Sequence, residues 1–348
     1  MILGVFPNED SNMKNGFNAI LRLLVKIALH GYYHRILVEG KQNLPKKKAV
    51  IILANHQNAL VDPLLIATQT KLKPHFLTRA SVFKKPLFAK LLDFIRMIPV
   101  YRVRDGVENM EKNKETFDRS VQILREKGSV LIFVEGGHSH QRNLRPLRKG
   151  FARIAFQALE SDPNLDLQIL PIGINYSNHK SSGSKVRIIV GKAFAAKDHY
   201  PNFDSLIKAG KEALQPLIAH IPDGDHYEEH LQQLIAQNVD LTSPEAVSTA
   251  LNSKEKQEPK RVSKPYLANK LMKICHFPLY GLWLYAGPKI KDNVFVATFK
   301  FLIGFVFGPI WYLLLMVVSS NTDFFGTWLV SLLYLAWISL FFNKNPQE

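Results

Sequence analysis

The sequence predicts an α/β fold: a mixed sheet flanked by helices, preceded by an N-terminal amphipathic helix and followed by a C-terminal transmembrane hairpin of two helices. Three observations predict it. Short apolar runs alternate with helix-period segments through the middle of the chain, which is the pattern of a sheet covered by helices. Residues 16–35 (GFNAILRLLVKIALHGYYHR) carry an apolar stripe with basic residues off it. Residues 301–320 (FLIGFVFGPIWYLLLMVVSS) and 324–342 (FFGTWLVSLLYLAWISLFF) are uncharged and each about long enough to cross a bilayer core.

Composition narrows the class. The 348 residues hold 45 Lys and Arg against 29 Asp and Glu, a net charge of +16. That excess points to anionic lipid, nucleic acid or acidic substrates. A hydrophobic content of 47% excludes a disordered chain. The single cysteine, Cys275, excludes an intramolecular disulfide and a Cys-rich zinc site; it reads as an apolar filler.

The N-terminus has no basic run ahead of an apolar core, so it does not read as a secretory signal. In residues 16–35, Phe17, Ile20, Leu21, Leu24, Ile27 and Ala28 follow helical spacing, with Arg22 and Lys26 off the stripe. Two charges argue against a span. A helix on a lipid surface and a helix packed on the core both satisfy the pattern. Strands are expected at 36–38, 49–54, 76–78, 98–101, 129–134, 167–172 and 186–190, and helices at 63–69, 86–96, 107–127, 149–160 and 203–218. The polar stretch 222–273 reads as a polar helical region and linker, with a capped helix starting at Ser243-Pro244-Glu245. Residues 274–287 are too short to span and read as interfacial or re-entrant. The domains are therefore 1–35, 36–221, 222–273 and 274–348. Asn321, Thr322 and Asp323 allow only a tight turn between the two spans. Lys289, Lys291 and Lys300 before them and Lys344 after them place both flanks, and with them the α/β domain, on the cytoplasmic side of a membrane. No nucleic-acid recognition motif is present.

Three segments carry candidate chemistry. In ANHQNALVDP, His56 lies between a strand end and a helix start, with Asp62 as helix cap and Pro63 at the first helical position. Six residues of regular helix would place His56 and Asp62 about 240° apart. The loop must fold back for them to meet. If it does, the carboxylate fixes the imidazole tautomer and the free nitrogen accepts a hydroxyl proton. The plain alternative is an ordinary cap beside an ordinary loop histidine. In FVEGGHSH, Gly136 and Gly137 let the backbone approach a ligand, and Glu135 can orient a polyol hydroxyl; a tight surface turn is the alternative. His138 and His140 have no further ligand at metal spacing, so no metal is expected. Arg102 and Arg104 at one strand end, and Arg142, Arg145, Arg148 and Lys149 after the Gly-Gly turn, suit a phosphorylated substrate or a solvated positive face.

These motifs, in this order, resemble the membrane glycerolipid acyltransferase family, which includes the bacterial lysophosphatidic acid acyltransferases. Asn55-His56…Asp62-Pro63 is similar to its His-and-Asp block and Ile98-Pro99-Val100-Tyr101-Arg102 to its phosphate-binding block. Phe133-Val134-Glu135-Gly136-Gly137 with Lys149-Gly150 resembles its Glu-Gly block, and Leu170-Pro171-Ile172-Gly173-Ile174-Asn175 its last block. Five residues separate His56 from Asp62 where the family usually has four. Val134 replaces a Pro, and His138 replaces a Thr or Ser. In these details the chain is closer to the fungal-type glycerol-3-phosphate and dihydroxyacetone-phosphate acyltransferases.

The resemblance implies His56 as general base and Asp62 as its orienting carboxylate, with direct hydroxyl attack on an acyl thioester. It implies Arg102 on the acceptor phosphate, Glu135, Gly136 and Gly137 on the glycerol part, and Lys149 adding charge complementarity. It implies acyl-CoA or acyl-carrier protein as co-substrate, no other cofactor, and membrane lipids as surroundings. The acceptor is then glycerol 3-phosphate or 1-acylglycerol 3-phosphate. Another lipid acceptor, or a membrane lipid-binding protein without catalysis, are the remaining readings.

Overall fold

A computed structural model describes residues 8–83, 85–101, 111, 113–253, 266–320 and 326. Eight strands form one mixed sheet: β1 (Arg35–Glu39), β2 (Ala49–Ala54), β3 (His75–Arg79), β4 (Met97–Val100), β5 (Ser129–Phe133), β6 (Leu167–Tyr176), β7 (Lys185–Val190) and β8 (Phe194–Ala195). The order is β1-β7-β6-β2-β5-β3-β4, with β8 also on β6. The run β6-β2-β5-β3-β4 is parallel. β7 turns back against β6 and β1 joins β7 in parallel. The seven expected strands are all present. β6 runs four residues beyond its expected end, and β8 is an addition the sequence pattern did not show.

The central strand β2 explains the layering. AVIILA is apolar at every position, and all six residues are buried, as a parallel strand covered on both faces requires. Alternate side chains go to opposite faces. Ala49, Ile51 and Leu53 join a core with α4 (Asn113–Arg125), α5 (Gly150–Ser161) and α6 (Phe203–Leu214). Val50, Ile52 and Ala54 join a second core with α1 (Asn8–Tyr32), α2 (Val61–Gln69) and Ala297 and Phe301 of α11 (Val296–Ser320). β6 passes so close to the 3-10 turn after α6 that a Cβ at Gly173 would lie 2.1 Å from the Leu217 carbonyl oxygen; only glycine fits there.

α3 (Pro86–Phe94) leads into β4. α7 (Tyr227–Ala236) and α8 (Pro244–Asn252) enclose a small satellite core of Ile221, Leu231, Leu234, Leu241 and Val247. Ser243 caps α8, accepting from the Ala246 amide at 3.2 Å. The expected helix over 107–127 is described from Asn113; residues 102–110 and 112 lie outside the described set.

One face of α1 packs on the core: Val25 and Leu29, with Tyr33 just after the helix, are buried. Phe17, Ile20, Leu23, Leu24 and Ile27 of the same helix stay exposed. α9 (Tyr266–Cys275) and α10 (Phe277–Ala286) precede α11. Among the described residues, one helical stretch, Asn293–Val317, is long and apolar enough to cross a membrane, with only 11% of its most apolar window buried. The expected second span, 324–342, lies outside the described residues apart from residue 326, and so does the hairpin it would complete.

Candidate active site

The C-terminal ends of β2, β5 and β6 lie side by side. Ala54 pairs with Phe133 on one side and Ile172 on the other. Ligand sites in open parallel sheets form at such ends. Asn55 ties the loop after β2 to β6: its Nδ2 donates to the Ile174 carbonyl at 2.9 Å and its Oδ1 accepts from the Ile174 amide at 2.8 Å. This fixes the chain direction where His56 leaves the sheet.

The loop then folds back on Asp62. Asp62 is fully buried. Its Oδ2 accepts from the amides of Gln57 and Asn58, both at 2.7 Å, and lies 2.8 Å from His56 Nδ1. Its Oδ1 accepts from the Tyr176 hydroxyl at the end of β6. A buried carboxylate needs such partners. Because Asp62 acts as acceptor to all of them, Nδ1 carries the imidazole proton and Nε2 is left as the acceptor. Nε2 has no hydrogen-bond partner among the described residues. The helix starts at Val61, with Leu60 as its cap residue. Asp62 is therefore not the cap the sequence suggested; its carboxylate reaches back to the loop ahead of the helix.

The imidazole is held by its ring as well. Phe133 stacks on it, centroids 3.8 Å apart and planes 10° from parallel. His138 meets its edge at 5.6 Å. The Ser139 amide donates to the His56 carbonyl at 3.0 Å.

Glu135 sits under the turn that follows β5. Its Oε1 accepts from the His56 amide at 3.3 Å, and its Oε2 accepts from Arg145 Nε at 2.6 Å. Arg145 Nη2 also donates to the Gly137 carbonyl. Burial pushes the Glu135 carboxyl above its ordinary value, with Arg145 pulling the other way. Gly136 adopts φ +71°, the left-handed region, and a Cβ there would come 3.1 Å from Arg148 Cγ. The turn thus needs glycine at this position for two reasons. Deep burial holds the Tyr176 phenol far above its ordinary value, next to the Asp62 charge; it remains a donor.

The sequence-predicted residues divide into three groups. His56, Asp62, Glu135, Gly136 and Gly137 come together. Arg102 lies outside the described residues; the adjacent Tyr101 is fixed by a pair of 2.8 Å bonds to Asn113. Lys149 is largely exposed and pairs with Asp204 at 3.5 Å, while Arg145 takes the contact with Glu135. Arg142, read among the basic groups suited to phosphate, is instead buried. Its guanidinium donates to the Tyr176, Ser177 and Leu241 carbonyls, so it joins the end of β6 to the satellite core. Tyr176 and Phe133 were not picked out as site residues. A tyrosine or phenylalanine at the end of a buried strand carries no signal separating it from core. His140 stacks on His179 at 5.2 Å. Among the described residues no group of three or more His, Cys, Asp or Glu side chains could hold a metal ion.

The strand ends thus bring together an imidazole–carboxylate pair and a Glu-Gly-Gly turn, and residues 35–175 match the Acyltransferase family model. Among curated proteins, the chain is similar to glycerol-3-phosphate O-acyltransferase 2 of Saccharomyces cerevisiae, 19% identical over 62% of this chain and 49% of that protein. It is also similar to 1-acyl-sn-glycerol-3-phosphate acyltransferase of Borreliella burgdorferi, 27% identical over 46% of this chain and 59% of that protein. The chain spans about half the length of the curated relatives it matches. Among solved structures, the 1-acyl-sn-glycerophosphate acyltransferase PlsC from Thermotoga maritima aligns with a TM-score of 0.47 and 18% identity, over 60% of this chain and 81% of that one.

Proposed function

We propose that the protein is a membrane-bound O-acyltransferase of glycerophospholipid synthesis. It moves a fatty acyl group from acyl-CoA or acyl-carrier protein to a hydroxyl of glycerol 3-phosphate or 1-acylglycerol 3-phosphate. The observation that carries this reading is the buried Asp62 carboxylate 2.8 Å from His56 Nδ1, which leaves Nε2 as an acceptor at the mouth of the strand ends. Nε2 takes the proton of the acceptor hydroxyl as its oxygen attacks the thioester carbonyl. The tetrahedral intermediate collapses, the carbon–sulfur bond breaks, and the imidazolium returns its proton to the leaving thiolate. Asp62 offsets the charge that forms on the ring. No acyl-enzyme is needed.

In this reading Arg102 holds the acceptor phosphate, Lys149 adds positive charge, and Glu135 with the Gly136-Gly137 turn positions the glycerol part. The apolar C-terminal segments anchor the chain, with the catalytic domain on the cytoplasmic face, because donor tails and acylated products partition into the bilayer. The names of the relatives, which include both acceptor classes, support the substrate class.

The test is acyl transfer by the detergent-solubilised chain, using labelled long-chain acyl-CoA with each acceptor in turn. Label in lysophosphatidic acid identifies glycerol 3-phosphate as acceptor; label in phosphatidic acid identifies its monoacyl form. His56→Ala should lower either rate by about 10²–10⁴-fold, the usual weight of a general base. Full activity in His56→Ala refutes the mechanism, and no transfer to either acceptor, with acyl-CoA and then with acyl-carrier protein as donor, refutes the activity.

A further inference from the structure

A second candidate site lies away from the chemistry. A cavity of about 280 Å³ opens between α1, the last turn of α2, and the connections leading into β3 and β4; Arg22, Leu23, Lys26, Thr68, Lys73 and Arg96 line it. Lys73 precedes β3 and Arg96 precedes β4, so this is the N-terminal end of the parallel strands. His56 and Asp62 stand at the other end, a five-residue strand of about 16 Å away.

Four cations face one small volume. Among the described residues none of the four has a carboxylate within salt-bridge distance. The nearby Asp93 is taken by Lys14 and Arg119. The two arginines are positioned by neutral acceptors. Arg96 donates to the Lys73 carbonyl at 3.1 Å and to Asn15 Oδ1 at 2.7 Å, and Arg22 donates to the Leu72 carbonyl at 3.4 Å. Arg96 adopts a left-handed φ of +68° to reach this place, a conformation that costs a non-glycine residue free energy. Burial and the neighbouring Arg96 both pull the Arg22 guanidinium below its ordinary value. Guanidinium and ammonium groups gathered in this way offer several charge-assisted donors to a phosphate or carboxylate.

The face of α1 beside the cavity indicates where the anion comes from. Going round the helix at about 100° per residue, the buried stripe of Val25 and Leu29 gives way to Arg22 and Lys26. Leu23 follows, and then the exposed stripe of Phe17, Ile20, Leu24 and Ile27. Leu23 lines the cavity and is itself 58% exposed. Cations thus flank an apolar surface, as on a helix lying in a lipid interface. We infer that this cavity binds the phosphate headgroup of an anionic membrane glycerophospholipid, with the lipid tails lying along the exposed stripe of α1, as a site separate from acyl transfer.

The test uses the full chain in dodecyl maltoside. Short-chain dihexanoylphosphatidylglycerol is titrated in, with dihexanoylphosphatidylcholine and inorganic phosphate as parallel probes. Lys26 and Lys73 are exposed, so Lys26→Gln with Lys73→Gln should fold normally, which the thermal unfolding midpoint checks. The expected result is saturable binding of phosphatidylglycerol, weakened fivefold or more in the double variant and unchanged in Arg102→Ala and His56→Ala. Equal binding of phosphatidylcholine, or unchanged affinity in the double variant, overturns the site. Loss in Arg102→Ala alone would assign the binding to the acceptor pocket instead. Inorganic phosphate binding as tightly as the lipid would make the ligand a free anion. These readouts do not depend on acyl transfer, so each proposal can fail without the other.

Discussion

At the scale of single residues, the arrangement around Asp62 separates one open nitrogen from an enclosed carboxylate. His56 Nε2 has no hydrogen-bond partner among the described residues, while Asp62 is enclosed by two amides, the imidazole and the Tyr176 hydroxyl. Asp62→Asn keeps the volume but replaces one oxygen by an NH2 group. That group cannot accept from the Gln57 and Asn58 amides, and the imidazole loses its fixed tautomer. We expect a rate loss of about 10²–10⁴-fold with a smaller change in KM. Tyr176→Phe removes one donor to the same carboxylate. It should cost about tenfold in kcat, the equivalent of one hydrogen bond of about 1.4 kcal/mol, with the acceptor KM unchanged. Steady-state kinetics on both variants decides: a KM effect alone in Tyr176→Phe would place that hydroxyl in substrate binding. Tyr176 also shows what the sequence hides. His56 and Glu135 stand out because polar residues just after apolar strands need a reason to be there, and Asp62 because it forms an Asp-Pro helix-start signal. Tyr176 and Phe133 continue such strands and look like core until the fold brings their ends together.

At the scale of elements, strand positions were legible because β2 and β5 are almost wholly apolar runs, and β6 is apolar apart from Gln168 and Asn175, the mark of buried strands. The ends were less so. β6 continues to Tyr176 because β7 pairs with its second half, Ile172 to Tyr176, and that pairing is a tertiary fact. The helix at Val61 begins ahead of the Asp-Pro signal because Asp62 spends its carboxylate on the preceding loop. The edge pair β3–β4 carries a pH dependence of its own. Burial in β3, with Arg96 and Arg119 nearby, pushes the His75 imidazole down to about 4 from 6.5. A depressed histidine stays neutral in the folded chain and takes up a proton on unfolding below its ordinary value. Its contribution is therefore intact above pH 6.5, falls as the pH drops, and stops changing below about 4. The full shift corresponds to at most about 3 kcal/mol, less the part that solvent screens. His75→Gln should remove this component. The gap in unfolding midpoint between the original chain and the variant should narrow, or reverse, on going from pH 7 to pH 4.5. A gap that does not vary with pH would mean that His75 titrates as a free imidazole.

At the scale of the whole molecule, the apolar C-terminal helix is joined to the catalytic domain rather than hung from it. The first turns of α11 reach the loop that carries His56: Thr298 Oγ1 accepts from the Leu60 amide at 3.2 Å. Ahead of the helix, Asp292 lies 3.3 Å from His138 Nε2, and Phe295 meets the His138 ring. Ala297 and Phe301 are buried in the same core as α1 and α2, with Phe301 edge-on to Tyr32. Farther along α11, Val306, Phe307, Ile310, Leu313, Leu314, Met316 and Val317 are exposed, while Trp311 and Tyr312 bond to Cys275 and His276. One helix thus closes the core beside the His56 loop at its start and leaves an apolar surface uncovered toward its end. This coupling predicts that Phe301→Ala behaves as a core mutation even though the residue lies in an apolar C-terminal segment. Removing a fully buried phenylalanine costs about 3–5 kcal/mol. The variant should unfold at a clearly lower temperature in detergent and lose transfer activity at temperatures where the original chain is stable. Leu313→Ala, 63% exposed in the outward part of the same helix, should leave the midpoint within a degree or two. If both substitutions proved equally mild, α11 would be an anchor only, and the contacts with the His56 loop would carry no stability. If only Phe301→Ala lowers the midpoint, α11 and the α/β domain fold as one cooperative unit, and the placement of α11 beside the His56 loop follows from packing instead of from a flexible tether.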